Sequence, residues 1–483
     1  MNYENTIGSD EKKRGGQPIL SVVLMMMGIG LALSASADED YVPPSSALVR
    51  EKLEWLQDQK LGLMMHFGLY SVLGIVESWP LSTEDARWAR ADIGWAKDDA
   101  DLKRKYYATS RCFNPIKFDA AEWAKTAKRC GFRYVAFTTK HHDGFCLWDT
   151  KETDYKTTNP DCPYSASPNA DVVRKLFDAC RSEGLGISAY FSKLDFHHDD
   201  YWEGMGIGRA TSRYPTYSPR ENKGKWIRFV EFTKNQILEL VRDYGPIDAL
   251  WLDGAMLKPG SEYDLAIGKA IDAARRIQPD LISVDRAAGN AYEDIRTPEQ
   301  CVPEEPLSYP WESCITMTDD WGYHYDDVYK SPRELIALIV DVVSKGGNLA
   351  LNVGPAPDGT LPRPALERLE SIGAWLVKNG AAIYATRPVK PYSFEDWRFT
   401  KGKDGRVFAI REWKEGLGRV RSTGIGWRVG SLGELVRVTH LASGRNIPFS
   451  FARKTWAQEY KLDFGDDFVR DDYADAFVLE FKR

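Results

Sequence analysis

Two kinds of apolar pattern alternate along the chain. Strand-like apolar runs fall at 61–67, 133–138, 186–191, 247–252, 281–284 and 348–353. Amphipathic helical patterns lie between them at 120–130, 171–182, 225–243, 263–277 and 332–344, with a further helix ahead of the first run at 48–59. Strand and helix in alternation predict parallel strands joined by crossover helices. The alternation is too long for one simple doubly wound sheet, so the expected α/β fold is a TIM-like (β/α)8 barrel. A last helix at 364–379 ends at Gly380, a residue suited to a helix C-terminus. From about residue 386 the pattern changes to short alternating runs with glycines, at 406–411, 433–439, 461–464 and 476–481. These predict a small C-terminal antiparallel β-sandwich domain.

Polar residues recur at one place in this pattern. His66, the pair His141-His142, Asp195, Asp253 and Arg286 each stand at or just after the end of a strand candidate. In a barrel such positions share one face, where the βα loops build the active site.

Composition narrows the picture. A length of 483 residues exceeds one small core and suits a large barrel with an accessory domain. The net charge of −6, with no long basic block, argues against a nucleic-acid partner. The 16 Trp, 23 Tyr and 20 Phe suit a carbohydrate cleft, although large domains bury aromatics in any case. At the N-terminus, Lys12-Lys13-Arg14 precedes an apolar run at 19–33, then Ala35-Ser36-Ala37 and an acidic stretch. That is the order of a signal peptide, cleaved after Ala37. The run is shorter than the roughly 20 residues of a spanning helix, so an exported mature chain without a membrane span is expected. The domain expectation is therefore 1–37 signal peptide, 38–385 barrel and 386–483 sandwich. Seven cysteines form no CxxC pair.

The candidate chemistry sits at the strand ends. The run Trp251-Leu252-Asp253-Gly254 ends a strand in a carboxylate followed by glycine, which suits a nucleophile held on a rigid element and equally suits a helix cap. His141 and His142 suit hydrogen bonding to sugar hydroxyls. They also suit metal, with His66 and Asp253 as further ligands, though no HxH or HExxH spacing is present. Glu77 and Trp79 follow His66. Two residues qualify as a second carboxyl group: Glu299 in a loop, and Glu312, which follows Trp311 on an expected strand where burial would raise its pKa.

Taken together, these segments resemble glycoside hydrolase family 29, the α-L-fucosidases. The matching pieces are His66-Phe67-Gly68-Leu69-Tyr70-Ser71, Thr139-Lys140-His141-His142-Asp143-Gly144-Phe145, Trp251-Leu252-Asp253-Gly254, Trp321-Gly322-Tyr323 and Gly347-Asn348-Leu349-Ala350-Leu351-Asn352-Val353-Gly354-Pro355. They run in family order from about residue 50 to 380. The resemblance implies a retaining exo-α-L-fucosidase acting on fucosylated glycans, with no metal and no cofactor. It implies Asp253 as nucleophile and favours Glu299 over Glu312 as acid/base. Expected substrate-binding residues are His66, Glu77, Trp79, His141, His142, Tyr190, Arg286 and Trp321. One departure stands out: family members often have adjacent Glu-Trp, whereas here Ser78 separates Glu77 from Trp79. The alternatives are a metal-dependent hydrolase on the same barrel and a non-catalytic glycan binder.

Overall fold

The computed structural model describes residues 41–90, 93–202, 212–454 and 457–482. The expected signal peptide lies outside the described residues. Seven parallel strands form the main sheet: β1 (Leu61–Met65), β2 (Tyr134–Lys140), β3 (Gly186–Ser192), β4 (Ala249–Asp253), β5 (Ile282–Asp285), β6 (Glu312–Thr316) and β7 (Asn348–Val353). Their order is β5-β4-β3-β2-β1-β7-β6. Every residue of these strands is buried except Asp253, the last of β4. Burial on both faces is why most of them read as unbroken apolar runs.

The helices are α1 (Ala47–Gln59), α2 (Leu69–Leu73), α3 (Asp99–Ala108), α4 (Ala120–Arg129), α5 (Val172–Ser182), α6 (Lys223–Asp243), α7 (Ile267–Ile277), α8 (Pro332–Ser344) and α9 (Arg363–Asn379). Their starts follow from local sequence. The side chains of Ser46, Asp98, Asp119, Asp171, Asn222 and Ser331 each accept a backbone N–H of the first turn. At Ser331 a capping box with Glu334 and Pro at the first helical position reinforce the start.

The sheet's two outer strands, β5 and β6, are linked by an irregular segment, residues 292–300. On one side the Asp294 N–H donates to the Ser283 carbonyl at 2.9 Å, and the Asp285 N–H to the Tyr292 carbonyl at 3.2 Å. On the other, the Glu312 N–H donates to Arg296 at 2.9 Å, Cys314 to Pro298 at 3.1 Å, and Gln300 to Cys314 at 3.0 Å. The α/β architecture is thus of barrel type.

The C-terminal part is antiparallel throughout. It comprises β8 (Thr386–Phe394), β9 (Trp397–Gly402), β10 (Val407–Glu412), β11 (Ser422–Arg428), β12 (Leu435–His440), β13 (Phe449–Lys454), β14 (Ala457–Asp463) and β15 (Ala474–Phe481). A five-stranded sheet, β12-β15-β10-β9-β8, and a three-stranded sheet, β11-β14-β13, share one core that includes Trp397, Phe399, Trp427, Tyr460, Leu462 and Phe477. The indole of Trp375 on α9 donates to the Ala474 carbonyl at 2.7 Å, joining this part to the barrel's helices. All seven cysteines are free thiols, with only Cys112 and Cys301 exposed. Among the described residues no helix is long and apolar enough to cross a membrane.

Candidate active site

The C-terminal ends of the strands bring the expected residues together. His66 follows β1, His141 and His142 follow β2, Tyr190 lies in β3, Asp253 ends β4 and Arg286 follows β5. Glu299 sits on the irregular segment, and Trp321 lies between β6 and α8.

Asp253 is the most heavily bonded of these groups. Its Oδ1 accepts from Arg286 Nη1 at 2.9 Å and from the Gly254 N–H at 2.8 Å. Its Oδ2 accepts from the Tyr190 hydroxyl at 2.7 Å and lies 3.7 Å from His142 Nε2. Burial alone would raise the Asp253 pKa. The Arg286 charge and the hydrogen bonds donated by Tyr190 and Arg286 outweigh it and hold the carboxyl well below the usual carboxylate range. The same environment pushes the Tyr190 phenol well above its ordinary value, by burial first and then by the Asp253 charge, so it remains a donor. Gly254 adopts φ +113°, and a Cβ there would come 3.3 Å from Leu194 Cγ and 3.4 Å from Lys193 Cβ. Glycine therefore lets the chain turn beside the carboxylate.

Each of the three histidines is anchored through Nδ1. His66 meets Asn352 Oδ1 at 2.7 Å, His141 meets Ser78 Oγ at 2.7 Å, and His142 meets Ser192 Oγ at 2.7 Å. Two of these anchors fix a tautomer. The Asn352 amide nitrogen donates to the Trp321 carbonyl at 2.7 Å, so its oxygen accepts from His66 Nδ1–H. The Ser192 hydroxyl donates to the Leu194 carbonyl at 2.8 Å, so its oxygen accepts from His142 Nδ1–H. In both rings Nε2 then carries the free lone pair. Burial pushes His66 and His142 down to about 4, and His141 well below its ordinary value, so all three are neutral at physiological pH. The rings pack closely, with centroids 4.1 Å apart for His141–His142, 5.0 Å for His66–Trp321 and 4.9 Å for Trp79–His142.

Glu77 is buried, and its Oε1 accepts from the Gly322 N–H at 2.7 Å. Burial, reinforced by the nearby Asp320 charge, pushes its carboxyl up to about 8. Trp79 and Trp321 are half-buried. Ser78, the interruption between Glu77 and Trp79, acquires a role here. Besides meeting His141, its Oγ accepts from the Asp143 N–H at 3.0 Å.

The two remaining carboxyl candidates separate. Glu299 Oε2 meets Arg286 Nη2, so one guanidinium bridges Asp253 and Glu299; its side chain is 43% exposed. Glu312 is a correction to the sequence reading. It is the first residue of β6, whereas Asp253 is the last of β4, and in a parallel sheet these ends lie on opposite rims. Its carboxyl accepts from the Tyr134 hydroxyl and, at 3.3 Å, from Trp251 Nε1. Burial raises its pKa as expected, but it lies away from the other polar groups. Asp195 is also displaced from the cluster. It is buried in an ion pair with Lys140 at 3.0 Å and caps the N–H groups of His197 and His198. Among the described residues no group of three or more His, Cys, Asp or Glu side chains is arranged to hold a metal ion.

Sequence reasoning missed Asn352, Ser78 and Ser192, the three anchors of the histidines. Each lies inside or beside a segment already singled out. Nothing in a single polar residue, however, reports which ring it will meet.

Comparison with known proteins follows the same line. The Alpha-L-fucosidase family matches residues 31–381. Plasma alpha-L-fucosidase of Homo sapiens is 27% identical over 375 residues, covering 75% of this chain and 76% of its own length. Alpha-L-fucosidase isoenzyme 1 from Paenibacillus thiaminolyticus superposes with a TM-score of 0.73 at 28% identity, covering 90% of this chain and 100% of that one. The Thermotoga maritima alpha-fucosidase in complex with fucose gives a TM-score of 0.69 at 28% identity, covering 91% and 100%.

Proposed function

This chain belongs to the α-L-fucosidase family, and from that premise we propose that it removes terminal α-L-fucose from glycans by a retaining double displacement. The observation that carries the proposal is the Asp253–Arg286–Glu299 bridge: one deeply ionised carboxylate and one accessible carboxyl on the two terminal nitrogens of a single guanidinium. A retaining pair works at about 5–5.5 Å, and a shared guanidinium is compatible with that spacing.

In the first step Asp253 attacks the anomeric carbon. Oδ1 is tied by two donors and Oδ2 by one, so Oδ2 has the freer lone pair. As the new C–O bond forms, the glycosidic C–O bond breaks, and Glu299 gives its proton to the departing oxygen. For this Glu299 leaves Arg286 and reaches over the sugar, which its loop seat allows. In the second step Glu299 takes a proton from water, the water attacks the same carbon, and Asp253 departs as a carboxylate. Positive charge on the ring in both transition states is stabilised by the ionised Asp253.

The histidines act on the sugar's hydroxyls. The free Nε2 lone pairs of His66 and His142 accept hydrogen bonds from them, and protonated Glu77 donates one. Trp321 and Trp79 wall the pocket with apolar surface for the C–H face of the ring. We also read segment 292–300 as the eighth stave of the barrel, supported by its hydrogen bonds to both β5 and β6. The signal-like N-terminus supports export of the enzyme.

The test is proton NMR of the first product formed from an aryl α-L-fucoside. Retention requires α-L-fucose to appear before mutarotation. Initial release of the β-anomer, or no hydrolysis, would overturn the proposal.

A further inference from the structure

Asp253 is bracketed by a buried ion pair that takes no part in the chemistry described above. Lys193 Nζ meets Asp285 Oδ1, and both side chains are fully buried, at 0% exposure. Lys193 follows the last residue of β3, and Asp285 is the last residue of β5. The sheet order places β4 between them, so the pair spans the strand that ends in Asp253.

Its two ends touch the site through their neighbours in sequence. Lys193 follows Ser192, which orients His142. Asp285 precedes Arg286, which holds Asp253 and Glu299. Both connections are also tied to the backbone of β4. The Lys193 N–H donates to the Asp253 carbonyl at 2.8 Å, and the Arg286 N–H donates to the Leu252 carbonyl at 3.1 Å. The Lys193 side chain lies against Gly254, where an added Cβ would come within 3.4 Å of Lys193 Cβ. Asp285 Oδ2 accepts from Asn290 Nδ2 at 2.6 Å, which satisfies its second oxygen.

A buried ion pair is a poor way to gain stability, because apolar residues of similar volume serve as well or better. In some proteins such a pair is kept instead because it fixes a geometry. We propose that Lys193 and Asp285 are positioning residues that clamp β3 and β5 across β4, holding His142 and Arg286 in register with Asp253. The proposal rests on Asp253 as the nucleophile. Displacing a reacting group by about 1 Å costs roughly 10²-fold in rate.

The decisive variant is the double replacement Lys193→Met/Asp285→Leu, which removes both charges and leaves neither unpaired. Lys193→Met and Asp285→Asn serve as single companions. Folding is checked by circular dichroism and thermal melting. The expected result for the folded double variant is a kcat roughly 10²-fold lower on an aryl fucoside, with a smaller rise in KM from the displaced His142. The acid limb of its kcat/KM profile should move to higher pH, because Arg286 no longer sits squarely on Asp253. A folded double variant with wild-type kcat and an unmoved acid limb would overturn the proposal. Asp253→Gly with azide, run in parallel, separates the two readings. An active Asp253→Gly enzyme without azide removes the premise. An inactive one alongside a wild-type-like double variant removes only the clamp.

Discussion

The Tyr190 hydroxyl donates a 2.7 Å hydrogen bond to Asp253 Oδ2, from the strand next to the one that ends in the carboxylate. The phenol therefore aims a lone pair as well as stabilising a charge. Hydrogen bonds to charged groups are worth about 1.5–3 kcal/mol. Tyr190→Phe should lower kcat about tenfold to a hundredfold, with KM little changed. It should also shift the acid limb of kcat/KM upward, since one of the groups holding Asp253 ionised is gone. Steady-state kinetics across pH would show both effects.

Removing Asp253, the proposed nucleophile, should be far more severe. Asp253→Gly should lose roughly 10³-fold or more in kcat while melting like the wild type, in line with other enzymes stripped of a nucleophile. Azide added to that variant should restore turnover and yield a fucosyl azide of inverted configuration, identified by NMR.

The two glutamates make a paired test. Glu299→Gln should nearly abolish hydrolysis of fucosyl glycans, whose leaving groups need a proton. It should spare the first step on a fucoside with a good aryl leaving group, visible as a burst of released phenol. Glu312→Gln should leave both substrates turning over, because its carboxyl faces Tyr134 and Trp251 at the far rim.

Two sets of buried groups set the pH dependence of stability: they oppose each other below neutrality, and only the carboxyls act above it. The unfolded chain protonates His66 and His142 near 6.5, whereas burial holds them down to about 4 when folded. Stability from these rings is therefore lost as pH falls from about 6.5 toward 4. Glu77 and Asp143 behave oppositely. Burial pushes them up to about 8 and about 7, from 4.5 and 3.8, so the folded chain keeps protons that the unfolded chain releases. Their contribution weakens as pH rises through those ranges. Melting temperatures from pH 4 to 8 should therefore fall mainly as pH rises above about 6.5, a decline reduced in Glu77→Gln, while His142→Gln should gain stability relative to wild type as pH falls below about 6.5.

Much of this was legible in the sequence. Six of the seven sheet strands appear as apolar runs because burial on both faces leaves no polar alternation. Strand β6, Glu-Ser-Cys-Ile-Thr, escapes the apolar pattern because polar side chains occupy most of it; only the Trp311-Glu312 step hinted at a strand. Asp253, the histidines and Arg286 were readable from their positions at strand ends. The apolar pattern alone leaves Glu312 level with Glu299, because it reports strand membership without strand direction; only the family resemblance favours Glu299. A residue that opens a parallel strand belongs to the rim opposite one that closes it. The histidine anchors were hidden because Ser78–His141, Ser192–His142 and Asn352–His66 join residues 63, 50 and 286 positions apart.

The irregular segment that carries Glu299 also bears on how such an enzyme diversifies. Asp253 terminates a regular strand, and moving it by one residue would turn it to the other face of the sheet. Glu299 sits on an irregular segment held by scattered backbone bonds to its neighbours, so insertions and deletions around it should be tolerated more readily. In descendants of this chain the proposed nucleophile should stay fixed while the proposed proton donor wanders. The preferred leaving group then becomes the quickly evolving trait, and fucose recognition the slowly evolving one.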